Sequence, residues 1–197
     1  KPQQQSSLTT PQPAIEQHEE AISDTTPAQE PEARAIDVPD DAGPAPLREA
    51  AMTGDARALF EIGNRYMEGR GVKEDYAEAA KWYEQSAGKD FAPALYRMGN
   101  RNEKGLGRPR ERNKAIDGYQ QAAKQGNANA MHNLAVLFAS GANGKPDTAS
   151  AIRWFNEAAA LGVKDSQYNL AILVAQDLGT PANLEESYTW FALAATP

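Results

Sequence analysis

Ala58-Leu59-Phe60-Glu61-Ile62-Gly63-Asn64-Arg65-Tyr66-Met67-Glu68-Gly69-Arg70-Gly71-Val72, followed by Asp75, Ala79, Trp82 and Tyr83, is the stretch whose reading decides the fold. Ala58, Leu59, Ile62, Gly63 and Tyr66 fall at helical spacing on one face, and Gly69, free to adopt positive φ, stops the helix. Asp75 offers a carboxylate to the free amides of a second helix, and Glu78 three residues on completes a capping-box pattern. Ala79, Trp82, Tyr83 and Ala87 form the buried stripe of that second helix. The unit is a helical hairpin.

Sliding the sequence by 36 residues superposes four such units, about 54–89, 90–125, 126–161 and 162–197, with no insertion. One column reads Phe60, Tyr96, His132, Tyr168; others read Gly63, Gly99, Ala135, Ala171 and Tyr83, Tyr119, Phe155, Phe191. Small residues in the second of these columns predict that the two helices of a hairpin approach closely, where neither carries a large side chain. Trp82, Trp154 and Trp190 are then expected to fill the space between neighbouring hairpins, each worth about 2–3 kcal/mol by buried area. Gly118 replaces the Trp of the second unit. Gly54, Gly126 and Gly162 recur at the turn between units, and Asp90 shares their column as one of the few other residues that tolerate left-handed geometry. Residues 46–52 align with the end of a second helix and are expected to form a lone capping helix. At the other edge Trp190, Phe191 and Leu193 have no polar cap after them, which implies a further segment or burial in an oligomer.

Composition divides the chain at the same place where the repeats begin. Residues 1–46 contain no Phe, Trp or Tyr, eight of the thirteen prolines, and nine acids against two bases. Such a segment buries too little apolar surface to offset its ordering entropy, so residues 1–45 are expected to be a disordered, acidic, Pro/Gln-rich linker and residues 46–197 the folded unit. The formal charge of −7 belongs to that linker, since residues 47–197 carry eighteen bases and eighteen acids. A neutral module lacks the basic field expected of a nucleic-acid binder. The absence of cysteine removes disulfides, thiolate catalysis and Cys-ligated metals. No apolar run approaches the roughly 20 residues that span a bilayer, so no membrane span is expected within these residues. The chain opens on Lys1, which reads as a piece of a longer or processed protein.

The quoted stretch, with Asp75, Ala79 and Trp82-Tyr83, resembles the Sel1-like repeat family, a relative of the tetratricopeptide repeat with a longer Gly-x-Gly loop inside the hairpin. The resemblance implies an all-α, right-handed superhelical solenoid of four antiparallel hairpins, used for protein–protein contact. Residues 46–55, 130–137 and 165–173 further resemble the periplasmic repeat region of bacterial polar localisation factors and related peptidoglycan-associated proteins. That likeness implies a periplasmic module of a membrane-anchored bacterial protein, acting at the cell pole, with envelope or polar proteins as partners and peptidoglycan as a further candidate. Cysteine-rich members of the family are stapled by disulfides, and this chain is not of that kind.

Little in the sequence points to chemistry. His18 lies in the linker and His132 stands in an aromatic column, where a packed ring explains it. Gly69-Arg70-Gly71 and Gly105-Leu106-Gly107 lack the preceding strand of a phosphate cradle, and helix-stop geometry accounts for them. Carboxylate pairs at helix starts are explained by capping. No catalytic residue, cofactor site or metal site is expected, and the chain reads as a non-enzyme. One charged stretch stands out: Arg97, Arg101, Lys104, Arg108, Arg110, Arg112 and Lys114 face only Glu103 and Glu111 across eighteen residues. It is either a solvated loop or a patch facing an acidic protein segment, a glycan phosphate or the linker. Polar positions on the first helices, Asn64, Asn100, Asn133 and Asn169, suit an extended peptide. Three readings follow: a protein-interaction solenoid of an envelope-organising factor, a peptidoglycan-binding or glycan-binding module, and a periplasmic inhibitor of a sensor kinase.

Overall fold

The computed structural model describes residues 35–105, 109–142, 144–176 and 183–196, and all regular structure within them is α-helical. Residues 1–34, most of the expected linker, lie outside the described residues. The helices are α1 (Ala45–Met52), α2 (Ala56–Glu68), α3 (Tyr76–Ala87), α4 (Ala92–Lys104), α5 (Arg112–Lys124), α6 (Ala128–Ala139), α7 (Thr148–Ala160), α8 (Lys164–Ala175) and α9 (Leu184–Ala194). Each packs mainly on its predecessor and successor, giving a lone α1 followed by four hairpins, α2/α3, α4/α5, α6/α7 and α8/α9.

Two sets of backbone hydrogen bonds recur at the repeat period. At the start of each second helix, the N-cap amide donates to a carbonyl of the first helix: Asp75 to Tyr66 at 2.9 Å, Glu111 to Asn102 at 2.9 Å, Asp147 to Phe138 at 2.9 Å and Asn183 to Val174 at 3.0 Å. Between units, Gly54, Asp90, Gly126 and Gly162 take φ values of 81°, 56°, 85° and 84°, so Asp90 adopts the left-handed conformation expected of its column. The stop glycines Gly69, Gly105 and Gly141 are also left-handed, and the third hairpin keeps its stop although its sequence there, Gly141-Ala142-Asn143-Gly144, departs from the Gly-x-Gly of the first two. The capping box forms only in part. Asp75 caps Ala77 and Glu78, but its own amide is committed to Tyr66, and the Glu78 carboxylate turns to Lys81 at 2.7 Å.

The small-residue column has a more specific cause than mutual smallness. In the first two hairpins a tyrosine of the second helix lies over the glycine of the first. A Cβ on Gly63 would stand 2.7 Å from the Tyr83 ring, and one on Gly99 would stand 2.6 Å from that of Tyr119. Gly118 meets the opposite situation, because a Cβ there would come within 3.1 Å of the Leu95 carbonyl oxygen and 3.3 Å of the Gly99 amide nitrogen. Backbone approaches backbone at that point, and a Trp has no room. Trp82 is buried among Leu59, Ile62 and the elements that precede them, whereas Trp154 and Trp190 are half-buried at the margin of the main core.

The packed chain also begins earlier than its composition predicts. Val38 and Ala42 are buried against Ala51, Leu59 and Trp82, the Ile36 amide donates to the Met52 carbonyl at 3.2 Å, and Arg48 donates to the carbonyls of Asp40 and Gly43. Residues 35–44 thus cover the outer face of α1 and α2 instead of belonging to a disordered linker. At the other end Tyr188 and Phe191 of α9 are exposed, while Ile152 and Phe155 at the matching positions of α7 are buried.

Gly99→Ala tests the ring-on-glycine packing. Helix propensity alone favours Ala by about 1 kcal/mol, and crowding of the Tyr119 ring costs about 1–3 kcal/mol. Urea unfolding is expected to show a net loss of stability, and a net gain would rule the packing argument out.

Candidate functional site

Clefts lie between successive first helices, and the aromatic of the intervening second helix, Tyr83 or Phe155, lines the first and the third of them. Between α2 and α4, Met67, Tyr76, Ala80, Tyr83, Arg97, Asn100, Arg101 and Lys104 surround a cleft of about 480 Å³. Between α4 and α6, Lys104, Arg110 and Arg112 share a second cleft with Glu103, Leu137 and Ser140. Between α6 and α8 the lining is Val136, Ala139, Ser140, Phe155, Asn169, Ile172 and Leu173.

The basic stretch divides on this surface. Arg101 pairs with Glu84 at 3.0 Å and Lys114 with Glu111 at 3.0 Å. Arg97, Lys104, Arg110 and Arg112 are exposed and make no ion pair among the described residues. Arg108 lies outside the described residues. The structure therefore brings Arg97, Arg101 and Lys104 together on one face of α4, as their spacing predicts, and sets Arg110 and Arg112 in the adjoining cleft.

Three of the four candidate asparagines, Asn64, Asn100 and Asn133, make hydrogen bonds within the fold. Asn64 accepts from the Tyr83 hydroxyl at 2.8 Å. Tyr119 lies at the centre of a larger network: its hydroxyl oxygen is 2.6 Å from a Glu103 carboxylate oxygen and 2.9 Å from Asn100 Oδ1, and it accepts from Asn133 Nδ2 at 3.2 Å. A phenol has one proton, so Asn100 Oδ1 and Glu103 share it, the shorter, charge-assisted contact to Glu103 being the stronger of the two. Burial, then the Glu103 hydrogen bond, push the Tyr119 phenol far above its usual range, so it remains a neutral donor at any physiological pH. Burial also raises Tyr83. Asn169 lines the α6/α8 cleft and is half-buried there. A tyrosine nineteen residues downstream of Asn64, and again of Asn100, was the available signal for these bonds, since both pairs repeat at the unit period.

His132, the only histidine among the described residues, places Nδ1 2.8 Å from the buried Ser166 hydroxyl and packs edge-on to Phe155 at 5.7 Å. Burial lowers its pKa, opposed by the Asp165 carboxylate. Among the described residues no three His, Asp or Glu side chains converge to hold a metal ion, and no helix is long and apolar enough to cross a membrane.

The Sel1 repeat family model matches residues 56–91, 92–127, 128–163 and 164–196, the same period as the sequence columns in a phase two residues later. Among solved structures, a Sel1 repeat protein from Oxalobacter formigenes is 28% identical with a TM-score of 0.70, covering 76% of this chain and 61% of that one. The protective antigen c5321 of uropathogenic Escherichia coli, described as displaying an SLR fold, is 26% identical with a TM-score of 0.47, over 76% of this chain and 40% of that one. The present chain thus spans less than two thirds of either protein. A search of curated proteins finds no match.

His132 gives the fold a pH dependence of definite sign. Its folded pKa lies below the unfolded value of about 6.5, so as pH falls the unfolded chain takes up the proton first and the stability due to neutral His132 is lost below that value. The melting temperature of the parent is expected to fall more between about pH 7.5 and 5.5 than that of His132→Tyr, which restores the aromatic of the column. Equal falls would exclude the histidine as the cause.

Proposed function

The chain belongs to the Sel1 repeat family, and from that premise we propose that it is a non-catalytic protein-interaction module of a bacterial envelope-organising factor, of the polar localisation type that PodJ represents. Sel1 repeat solenoids serve as protein-interaction scaffolds, and a continuous groove along the first helices is the surface through which such a scaffold engages a polypeptide. The observation that carries the reading here is the cluster of unpaired cations on that groove. Arg97, Lys104, Arg110 and Arg112 line two adjoining clefts and make no ion pair among the described residues. Leaving like charges close together costs the free protein repulsion within a Debye length of about 8 Å, and a partner's carboxylates relieve it. The envelope and cell-pole assignment is supported by the likeness of residues 46–55, 130–137 and 165–173 to polar localisation factors. In that setting the solenoid works in the periplasm on the far side of a membrane anchor and gathers partner proteins on its groove.

Non-catalytic action fits the state of the groove's ionisable groups. Tyr119 and Glu103 are spent on one another, and His132 is held on Ser166 behind the aromatic stack.

Crosslinking and mass spectrometry in intact bacterial cells test the reading, with the solenoid as bait beside a variant carrying Ser at 97, 104, 110 and 112. Recovery of envelope proteins by the parent and their loss from the variant is the expected result. Recovery of glycan fragments in place of proteins would replace this reading with a peptidoglycan-binding one. Failure to recover any partner would count against both.

A further inference from the structure

The α2/α4 and α6/α8 clefts are the same site two repeats apart, and their chemistry is opposite. Positions 72 residues apart place Phe155 where the first cleft has Tyr83, Asn169 where it has Arg97, Ile172 where it has Asn100 and Leu173 where it has Arg101. The change occurs between the second and third hairpins in three columns at once: Asn64 and Asn100 give way to Val136 and Ile172, Arg65 and Arg101 to Leu137 and Leu173, and Tyr83 and Tyr119 to Phe155 and Phe191. Val136 is left 37% exposed, an apolar side chain facing the groove with no cover of its own.

We propose that the groove is a bipartite peptide site, in which one extended segment of a partner protein sets acidic residues in the α2/α4 cleft and aliphatic or aromatic residues in the α6/α8 cleft. The inference rests on the interaction-module reading and adds to it the composition and polarity of the partner segment. Charge complementarity selects the first half: Arg97 and Lys104 have no counter-ion among the described residues, and Arg101 is shared only with the exposed Glu84, a surface pair worth little and easily exchanged for a partner's carboxylate. The guanidinium groups of Arg97 and Arg101 accept a carboxylate in two-pronged fashion, and the Lys104 ammonium adds a point charge at the junction of the first two clefts. The second half has no cation in its lining and offers Val136, Ile172, Leu173 and the ring of Phe155, which gain only from apolar contact.

The middle cleft permits a chain to pass from one half to the other. Its acid, Glu103, is bound to Tyr119 and stands beside Lys104, Arg110 and Arg112, so an acidic segment meets a net positive surface until it reaches Val136. A free phosphate or an acidic glycan would use only the cationic half and leave the apolar half empty. An extended polypeptide supplies both in order along one chain.

Selection of phage-displayed random peptides, long enough to cross two repeats, tests the site against two transplant variants. In one, the fourth hairpin's residues replace those of the second, as Arg97→Asn, Arg101→Leu and Lys104→Gln. In the other, the second hairpin's asparagine replaces the apolar pair, as Val136→Asn and Ile172→Asn. Every introduced residue already occupies its column elsewhere in the solenoid, and circular dichroism checks folding of both. The parent is expected to enrich peptides with an Asp/Glu cluster at a constant spacing and order from Leu, Ile or Phe. The first variant keeps only the apolar half of that pattern and the second only the acidic half, each binding the parent's best peptide about tenfold or more weakly. Salt is expected to weaken binding to the parent and the second variant much more than to the first, which keeps only Arg110 and Arg112 of the groove's cations. Enrichment of peptides lacking either half, identical selections by all three proteins, or no enrichment overturns the bipartite site. If partner proteins are still crosslinked in cells when the selection fails, the interaction-module reading survives; loss of both defeats both.

Discussion

In the first two hairpins an aromatic ring laid by the second helix against a glycine of the first closes the hairpin, and most of what the groove offers there follows from that contact. With glycine at 63 and 99 the ring settles so closely that a Cβ would stand 2.7 or 2.6 Å from it. The ring is then a tyrosine whose hydroxyl emerges beside the next residue of the first helix, where it meets Asn64 or Asn100. A buried hydroxyl without a partner is costly, so tyrosine and asparagine come together. With alanine at 135 and 171 the ring is phenylalanine, and Val136 and Ile172 take the asparagine positions, since an amide facing a phenyl ring would lack its partner. The packing choice and the polarity of the surface are one choice made twice.

Repetition confines the consequences. The clasp from each N-cap amide to a first-helix carbonyl recurs at four equivalent places with lengths of 2.9 to 3.0 Å, so hairpins of different side-chain chemistry share one backbone geometry. Each hairpin rests chiefly on its neighbours, which makes the solenoid nearly one-dimensional. Its groove can therefore change from cationic to apolar over one repeat without disturbing the packing on either side. A globular core, in which every residue touches many sequence-distant ones, allows no such local exchange.

Period, hairpin architecture and turn geometry were legible in the sequence because each rests on local rules, of which Asp90 in the left-handed region is the sharpest instance. What escaped was tertiary. Val38 and Ala42 sit among prolines and acids, and the Leu59, Ile62 and Trp82 side chains that complete the apolar face they cover lie well beyond them in sequence. Glu78 satisfies the capping-box spacing, but the Asp75 amide it would bind is taken by Tyr66 from the other helix. Gly118 read as a missing Trp until the approach of the α4 backbone supplied its reason. The three-column switch was printed in the sequence throughout, yet it carries no meaning until the ring, the asparagine and the arginine are known to meet in one cleft. The candidate asparagines lie on the first helices, and the commitment of Asn64, Asn100 and Asn133 to Tyr83 and Tyr119 required the fold.

The bipartite site proposed above would also assign different physical tasks to the two ends of the groove. In that proposal the cations at Arg97 and Lys104 would act at a distance, hastening encounter with an acidic segment and orienting it, while water and salt compete with each pair formed. The apolar end attracts nothing from afar. Once contact is made, however, each fully covered aliphatic side chain contributes about 1.5–3 kcal/mol that salt does not diminish. A groove cationic throughout would bind any polyanion, and one apolar throughout would invite association without direction. Placing the two halves two repeats apart makes a partner satisfy both composition and order, so selectivity arises from spacing along a rigid solenoid whose period is set by the hairpin itself.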